Sequence, residues 1–243
     1  MMDGQDFSAA AAALRRAERV FVLSGAGMGV ASGLKTFRSD GGYWREKRVE
    51  ALASRAGFES DPTFCWTWYN ERIAAYAAAE PNAGHRALVD IENRAPQFFL
   101  ATQNVDGLQA RAGSRAIVEL HGDLQHASCT GCAYRETLAG PFDTARIAHG
   151  CGGKLRPNVV WFGESLPPDA WNDAARASAA ADVVIVAGTS LAVMPAASLA
   201  RVGERGVTVI EVNPDADGGP NVIALRVGTE VALPALAAAL QGI

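Results

Sequence analysis

The chain has 243 residues, which suits one α/β domain with a sizeable insertion, and 49% of them are hydrophobic, enough for a real core. The formal net charge is −4 and there is no basic run. The sequence therefore lacks the positively charged surface that is typical of nucleic-acid-binding proteins. No stretch is long and apolar enough to span a membrane, and no signal-peptide pattern is present. We therefore expect a soluble, cytoplasmic protein.

Helical and strand patterns alternate along the chain. Residues 8–18 are alanine-rich and predict a helix capped by Ser8 or Asp6. A short β-branched run at residues 19–24 predicts a strand that ends in a glycine turn. Further helices are predicted at residues 61–79, with Pro62 in the first turn, and 82–93; further strands at residues 98–100, 116–120, 181–187 and 206–212. Such repeated strand–turn–helix units predict an α/β fold with a Rossmann-like, doubly wound parallel sheet.

Two regions interrupt this alternation. Residues 45–79 are helical and rich in aromatic side chains, whereas residues 123–156 have little helix or strand character and hold three cysteines. We expect both to form a smaller lobe, the first as its helical part and the second as a zinc-ribbon-like part. Residues 1–44, 80–122 and 157–243 would then form the Rossmann-like domain, with a cleft between the two lobes.

Polar side chains follow two of the predicted strands. Gln103, Asn104 and Asp106 come after one strand, and His121 comes directly after the next. In open α/β sheets ligands bind at the carboxyl ends of the strands, and a histidine placed there can accept a proton near neutral pH. The alternative is a satisfied core histidine beside ordinary turn residues.

A glycine loop, residues 25–33, follows the first predicted strand. Glycines let a backbone approach phosphates closely. The loop is not the usual dinucleotide fingerprint, because Val30 stands where the third glycine is required. A tight turn without a ligand is the alternative, but Gly188-Thr-Ser190 and the polar residues after Thr102 also lie at strand ends and favour a binding site.

The cysteines have the spacing of a metal site. Cys129 and Cys132 form a C-x-x-C pair, and Cys151 lies beyond it, but Ala148 stands where a partner of Cys151 would be expected. His149, His126 or water could supply the fourth ligand of a structural zinc. Alternatively, the site is degenerate and holds no metal.

Taken together, these motifs resemble the sirtuin family of NAD-dependent protein-lysine deacylases. The resemblance rests on the glycine loop, Phe37-Arg38, Thr102-Gln-Asn-Val-Asp-Gly107, His121-Gly122, the cysteine module, the segment from Leu155 to Glu164, Gly188-Thr-Ser190 and Asn213-Pro214. One departure is Gly29, where the family usually has serine.

The resemblance implies a displacement reaction. The acyl oxygen attacks the anomeric carbon of the nicotinamide ribose and nicotinamide leaves. A ribose hydroxyl closes onto the resulting imidate, and water then releases lysine and O-acyl-ADP-ribose. His121 would be the general base, with Asn104 and Asp106 as the other catalytic residues. The residues implied to bind NAD are Gly25, Ala26, Gly27, Met28, Phe37, Arg38, Trp44, Gln103, Asn104, Asp106, Gly188, Thr189, Ser190, Asn213, Pro214 and Thr229.

The resemblance also implies an acyl group and a substrate site. Tyr69 and Arg72 are three residues apart, hence on one helical face, and look like the Tyr-x-x-Arg pair of sirtuins that remove succinyl and malonyl groups. An ordinary amphipathic-helix pair is the alternative. The residues implied to bind the acylated lysine of a protein substrate are Tyr69, Arg72, Ala53, Val160, Phe162, Gly163 and Glu164.

Four other functions compete with this one: a plain deacetylase, an ADP-ribosyltransferase, a non-catalytic NAD-binding module and a dehydrogenase. The intact set of Asn104, Asp106 and His121 argues against binding alone, and the imperfect glycine fingerprint argues against a dehydrogenase. We expect a monomer that has acylated lysines as partners, but neither nucleic acid nor membrane.

Overall fold

The computed structural model describes residues 4–36 and 52–240. In chain order its strands are β1 (Arg19–Ser24), β2 (Gln97–Thr102), β3 (Ile117–Glu119), β4 (Gly122–Cys129), β5 (Arg135–Thr137), β6 (Leu155–Val159), β7 (Val183–Ala187), β8 (Thr208–Val212) and β9 (Val222–Leu225). The α-helices are α1 (Gly4–Arg16), α2 (Arg55–Ser60), α3 (Pro62–Ala78), α4 (Ala83–Glu92), α5 (Leu108–Ala112), α6 (Pro168–Ala180) and α7 (Thr229–Ala239). Short 3₁₀ helices span Ala26–Ser32, Thr144–Arg146 and Ala196–Ala200.

Six parallel strands form the main sheet, in the order β3-β2-β1-β7-β8-β9. Strand β1 lies at the centre, where Ser24 is paired with Thr102 on one side and Ala187 on the other. The strand order reverses between β1 and β7, and a doubly wound sheet opens its ligand crevice at such a point. The predicted fold class is confirmed.

Both faces of this sheet are covered, which explains its near-continuous apolar strands. Val20 and Val22 of β1 pack into a cluster with α1, α4 and α7, whereas Phe21 and Leu23 pack into a second cluster with α6. The two residue sets alternate because successive side chains of a strand point to opposite faces.

A second, antiparallel sheet has the order β5-β4-β6. It packs against α3, where Trp66 donates a hydrogen bond from Nε1 to the carbonyl oxygen of Leu155 at 2.9 Å and stacks on Phe142. The prediction of little strand character at residues 123–156 was therefore wrong. An irregularity in the β4–β6 register between Gly122 and Ala127 breaks the alternation by which a strand is recognised.

Helix boundaries show one further difference. Helix α1 begins at Gly4 and not at Ser8, whose hydroxyl instead donates to the carbonyl oxygen of Gly4 at 2.8 Å from inside the helix. The Pro62 helix begins as predicted, with the Asp61 side chain accepting from the Phe64 amide at 2.9 Å. Within the described part of the chain, no helix combines the length and apolar character needed to cross a bilayer.

Candidate functional site

Two glycine-containing loops meet at the carboxyl ends of β1 and β7. The amide of Gly25 donates to the carbonyl oxygen of Ala187 at 3.0 Å, and that of Gly27 to the carbonyl oxygen of Gly188 at 2.7 Å. A Cβ atom on Gly27 would lie 2.7 Å from the Cα of Gly188, closer than real Cβ atoms approach. Glycine is therefore required here because the two backbones are in direct contact.

The side chain of Asn82 holds the glycine loop by hydrogen bonds. Its Nδ2 donates to the carbonyl oxygen of Met28 at 2.7 Å and to the hydroxyl of Ser32 at 3.0 Å. Its Oδ1 accepts from the first amides of α4, so one side chain caps the helix and positions the loop. Neither role was predicted from the sequence, although an asparagine at the start of a predicted helix is typical of an N-cap.

The polar residues after β2 connect the same loops. Nδ2 of Asn104 donates to the carbonyl oxygen of Gly25 at 2.9 Å, and Nε2 of Gln103 donates to the hydroxyl of Thr189 at 3.1 Å. From the end of β8, Nδ2 of Asn213 donates to the carbonyl oxygen of Thr189 at 3.1 Å. Four side chains predicted to bind one ligand therefore lie together at one edge of the sheet.

His121 and Asp106 have altered proton affinities. Nδ1 of His121 lies 3.0 Å from the carbonyl oxygen of Gln103, and burial lowers the pKa of the imidazole below its usual 6.5. The carboxylate of Asp106 accepts from the Leu108 amide at 2.8 Å, and burial raises its pKa. His121 is thus held as a neutral imidazole at neutral pH.

Glu119 is a third titratable group in this region, and the sequence analysis did not single it out. Burial, followed by repulsion from Asp123, raises the pKa of Glu119 to about 7. The sequence does offer a sign of it, because Glu119 is an acidic residue within the otherwise apolar run that precedes His121.

Tyr69 and Arg72 are both buried on α3, at 4% and 3% exposure. The Arg72 guanidinium carbon lies 3.1 Å from the ring centroid of Trp68, and Nη1 donates to the Trp68 carbonyl oxygen at 2.6 Å. The Tyr69 hydroxyl accepts a hydrogen bond from Nε1 of Trp161 at 2.9 Å. A buried arginine in an aromatic cluster is unusual for an ordinary amphipathic-helix pair.

The segment after β6 lies between His121 and the helical part. The amide of Val160 donates to the carbonyl oxygen of His121 at 2.8 Å. The amide of Phe162 donates to the carbonyl oxygen of Ala53 at 3.0 Å. Phe162 is 45% exposed, and Gly163 has a left-handed φ of 85°. Glu164 accepts hydrogen bonds from Arg156 at both of its carboxylate oxygens.

The remaining predicted residues differ in their placement. Ser190 and Pro214 are exposed beside the site, whereas Met28 is fully buried. Thr229 is buried against Gly84 at the start of α7, and its hydroxyl has no hydrogen-bond partner among the described residues. Phe37, Arg38 and Trp44 lie outside the described residues.

A second site lies in the small lobe, where Cys129, Cys132, His149 and Cys151 place their ligand atoms within 4.8 Å of one another. Nδ1 of His149 lies 3.4, 3.7 and 3.2 Å from the three sulfurs, in that order. A tetrahedral zinc with such ligands needs edges of about 3.5–3.8 Å. His126 is not part of the group, because its Nδ1 is bound to the Asp123 carboxylate at 2.6 Å. The group therefore has the composition and spacing of a Cys₃His zinc site.

Comparison with known proteins agrees with this geometry. The model of the Sir2 family matches residues 25–195. The chain belongs to the Sir2 family. Among its relatives, the NAD-dependent protein deacylase of Thermus thermophilus is 46% identical over 207 residues, which cover 83% of this chain and 82% of the relative.

Solved Sir2 structures superpose on almost the whole chain. A Sir2 homologue in complex with NAD is 38% identical, with a TM-score of 0.87, and the match covers 99% of this chain and 94% of the other. A Sir2 variant with a deacetylated p53 peptide and 3′-O-acetyl-ADP-ribose is 28% identical, with a TM-score of 0.83 and coverage of 94% and 96%. The Sir2 fold is therefore shared throughout the described residues.

Proposed function

We propose that this chain is an NAD-dependent protein-lysine deacylase that prefers succinyl and malonyl groups. The observation that carries the proposal is the position of His121, a neutral imidazole at the sheet edge where Asn104, Asp106 and the glycine loop converge. The names of the relatives and the NAD complex of a Sir2 homologue support the NAD-dependent deacylase activity. The acyl preference is proposed from Tyr69 and Arg72 alone.

The residues at the crevice fit NAD. Close contact of Gly27 with Gly188 leaves backbone, and not side chains, at the point where a pyrophosphate would lie. When bound, NAD supplies the electrophilic ribose carbon and nicotinamide as the leaving group. Gly25, Ala26, Gly27 and Gln103 would line its phosphates and ribose, and Gly188, Thr189, Ser190, Asn213 and Pro214 would face the adenosine half.

His121 would act as the general base. The carbonyl oxygen of Gln103 can only accept a hydrogen bond, so the Nδ1 of His121 carries the hydrogen and Nε2 carries the free electron pair. This nitrogen would take the proton from a ribose hydroxyl during acyl transfer. Asn104 and Asp106 would orient the nicotinamide end and a water molecule, and their bonds to Gly25 and Leu108 keep both side chains in place.

The acyl-lysine would enter between the lobes. The segment from Val160 to Gly163 would pair with the substrate backbone, a main-chain recognition that tolerates many sequences. The guanidinium of Arg72 would bind an acyl carboxylate bidentately, and Tyr69 would add a hydrogen bond. Ala53 is small, which leaves room for a four-carbon acyl chain. The burial of Arg72 supports this assignment, because a carboxylate is attracted more strongly by a guanidinium that water does not screen.

Zinc in the small lobe would be structural. The Cys₃His group uses four protein ligands, which closes a tetrahedral site and leaves no position for a substrate. The ligands come from the β4–β5 turn and from the loop before β6, so the metal would join the ends of a three-stranded sheet.

The test is a mass-spectrometric assay with NAD and matched succinyl-, acetyl- and unmodified-lysine peptides. We expect succinyl loss that requires NAD and exceeds acetyl loss. Acetyl loss alone would leave a deacetylase and contradict the acyl preference. Transfer of label from NAD to protein without an acyl-lysine would indicate an ADP-ribosyltransferase, and failure to turn over either peptide would contradict the deacylase.

A further inference from the structure

Tyr69 and Trp161 meet although 92 residues separate them in the chain. Tyr69 lies on α3, and Trp161 lies in the segment that follows β6. The indole Nε1 donates to the tyrosine hydroxyl oxygen at 2.9 Å, and both residues are almost completely buried. The proposed function gives a role to the side chain of Tyr69 but none to the indole of Trp161.

The indole ring of Trp161 packs against a guanidinium group and a second aromatic ring. The guanidinium carbon of Arg156 lies 3.4 Å from its ring centroid, and the ring of Phe58 lies at 5.2 Å with a tilt of 40°. Glu164 fixes Arg156 through two hydrogen bonds of 2.6 and 2.9 Å, and it also accepts from the backbone amide of Trp161 at 2.9 Å. The direction of the indole N–H is therefore set by its surroundings.

This hydrogen bond limits what the Tyr69 hydroxyl can do. A phenolic hydrogen lies near the plane of its ring and has two positions, one on each side of the oxygen. The N–H of Trp161 occupies one side, which leaves the tyrosine hydrogen on the other. No described residue accepts that hydrogen, and burial raises the pKa of Tyr69, so the hydroxyl stays protonated. Tyr69 is then a donor with one open direction.

We propose that Trp161 is a specificity-determining positioning residue, whose indole N–H directs the hydroxyl hydrogen of Tyr69 toward the carboxylate of the acyl group. The proposal rests on the proposed acidic-acyl preference. An acetyl group ends in a methyl, which accepts no hydrogen bond, so Trp161 affects acidic acyl groups selectively. Donation by the indole also makes the tyrosine hydroxyl a stronger donor, because linked hydrogen bonds polarise one another.

The first experiment compares Trp161→Phe with the unchanged protein. We expect kcat/KM for a succinyl peptide, divided by that for an acetyl peptide, to fall about 5- to 10-fold, the usual effect of weakening one hydrogen bond to a charged group. Trp66→Phe is the matched control. It removes another buried indole N–H bond from the same hydrophobic cluster, to Leu155, and should leave the ratio unchanged.

A second experiment asks whether Trp161 acts through Tyr69. Tyr69→Phe removes the hydroxyl and should lower the ratio by itself, and Trp161→Phe added to it should have no further effect on the ratio. Independent, additive losses in the double variant would overturn the proposal, and so would an unchanged ratio in Trp161→Phe alone. If circular dichroism shows that Trp161→Phe does not fold, benzothienylalanine at position 161 replaces the N–H by sulfur in nearly the same shape, and the same outcomes apply.

The two proposals fail in different ways. If neither Tyr69→Phe nor Arg72→Met changes the ratio, the acidic-acyl preference is wrong and the role of Trp161 falls with it. If both lower the ratio but the Trp161 variants do not, only the role of Trp161 is wrong.

Discussion

Nδ1 of His121 lies 3.0 Å from the backbone carbonyl oxygen of Gln103, so the residue that follows β2 sets the tautomer of a histidine two residues beyond the end of β3. The neighbouring strands place the two residues side by side, since Leu120 also donates to the carbonyl oxygen of Thr102. An imidazole oriented by main chain keeps its orientation when surface side chains change.

The pH dependence of activity follows from His121. Its burial lowers the pKa of the imidazole below 6.5, and a general base works only when it is unprotonated. We expect kcat/KM for acyl-peptide to rise with pH and to reach half of its plateau below pH 6.5. A half-plateau above pH 7 would contradict this assignment. His121→Ala should lose at least about 100-fold in kcat without a change in circular dichroism.

Arg72→Met tests the acyl carboxylate. Methionine keeps much of the side-chain volume but cannot bind a carboxylate, and losing a bidentate pair in a buried site costs about 2–5 kcal/mol. We expect kcat/KM for a succinyl peptide to fall accordingly, with a much smaller change for an acetyl peptide. Equal losses on both peptides would mean that Arg72 is structural.

The zinc ligands can be tested with two histidines of the same lobe. We expect about one zinc per chain by elemental analysis of the purified protein. His149→Ala should lose most of the metal and lower Tm, because it removes one of the four side chains whose ligand atoms lie close enough together to share a zinc ion. His126→Ala is the control and should retain zinc, since its imidazole binds Asp123 instead. Zinc retained by the first variant and lost by the second would reverse this assignment.

The glycine loop is sensitive to a single methyl group. Gly27→Ala would place a Cβ 2.7 Å from the Cα of Gly188, so the two loops must separate. We expect a loss of about 1–3 kcal/mol in the free energy of unfolding, together with weaker NAD binding by calorimetry. Gly140→Ala has no atom within 4 Å of the new methyl and should change neither. Unchanged NAD affinity in Gly27→Ala would show that the loop packing is not needed by the cofactor.

Stability should fall in mild acid because of His85. Burial lowers the pKa of this fully buried imidazole to about 4, and its Nδ1 accepts from the Asn82 amide, a bond that protonation destroys. Between pH 4 and 6.5 the unfolded chain binds the proton and the folded chain does not, so stability rises with pH in this window, by up to about 3 kcal/mol. Urea denaturation at pH 5 and 7 measures the change.

His85→Asn separates this effect from other groups that titrate in the same window. The variant should be less stable at pH 7 but should show a smaller difference between the two pH values. An equal difference in both proteins would place the acid sensitivity elsewhere, for example in the zinc ligands.

Much of the fold follows from local patterns. Apolar runs at residues 19–24 and 181–187 predict buried parallel strands. The polar or glycine residues directly after each run predict the edge of the sheet at which a ligand binds, because they are adjacent to the strand in the sequence. The same reasoning brought His121 and Asn104 to one place, since parallel strands end at a common edge.

The fourth zinc ligand was not predictable in this way. The sequence left His149 and His126 open, because both are near the cysteines in the chain. The choice depends on the turn at residues 149–153, which brings His149 to the thiols, and on Asp123, which binds His126. The sheet of β4, β5 and β6 was not predictable either, because the irregular register between β4 and β6 disrupts the alternation of apolar and polar residues by which a strand is recognised.

The sequence alone predicted the parallel sheet, the cluster at its carboxyl edge and the cysteines of the metal site. Each strand and each cysteine motif is recognised from neighbouring residues, and the rule that parallel strands end at a common edge brings the polar residues after the strands together. The ligand set of the metal, the support of the glycine loop by Asn82 and the bond between Trp161 and Tyr69 required the folded chain. Each of these joins residues from separate elements, and the distance between such residues is set by the packing of the elements and not by their spacing in the sequence.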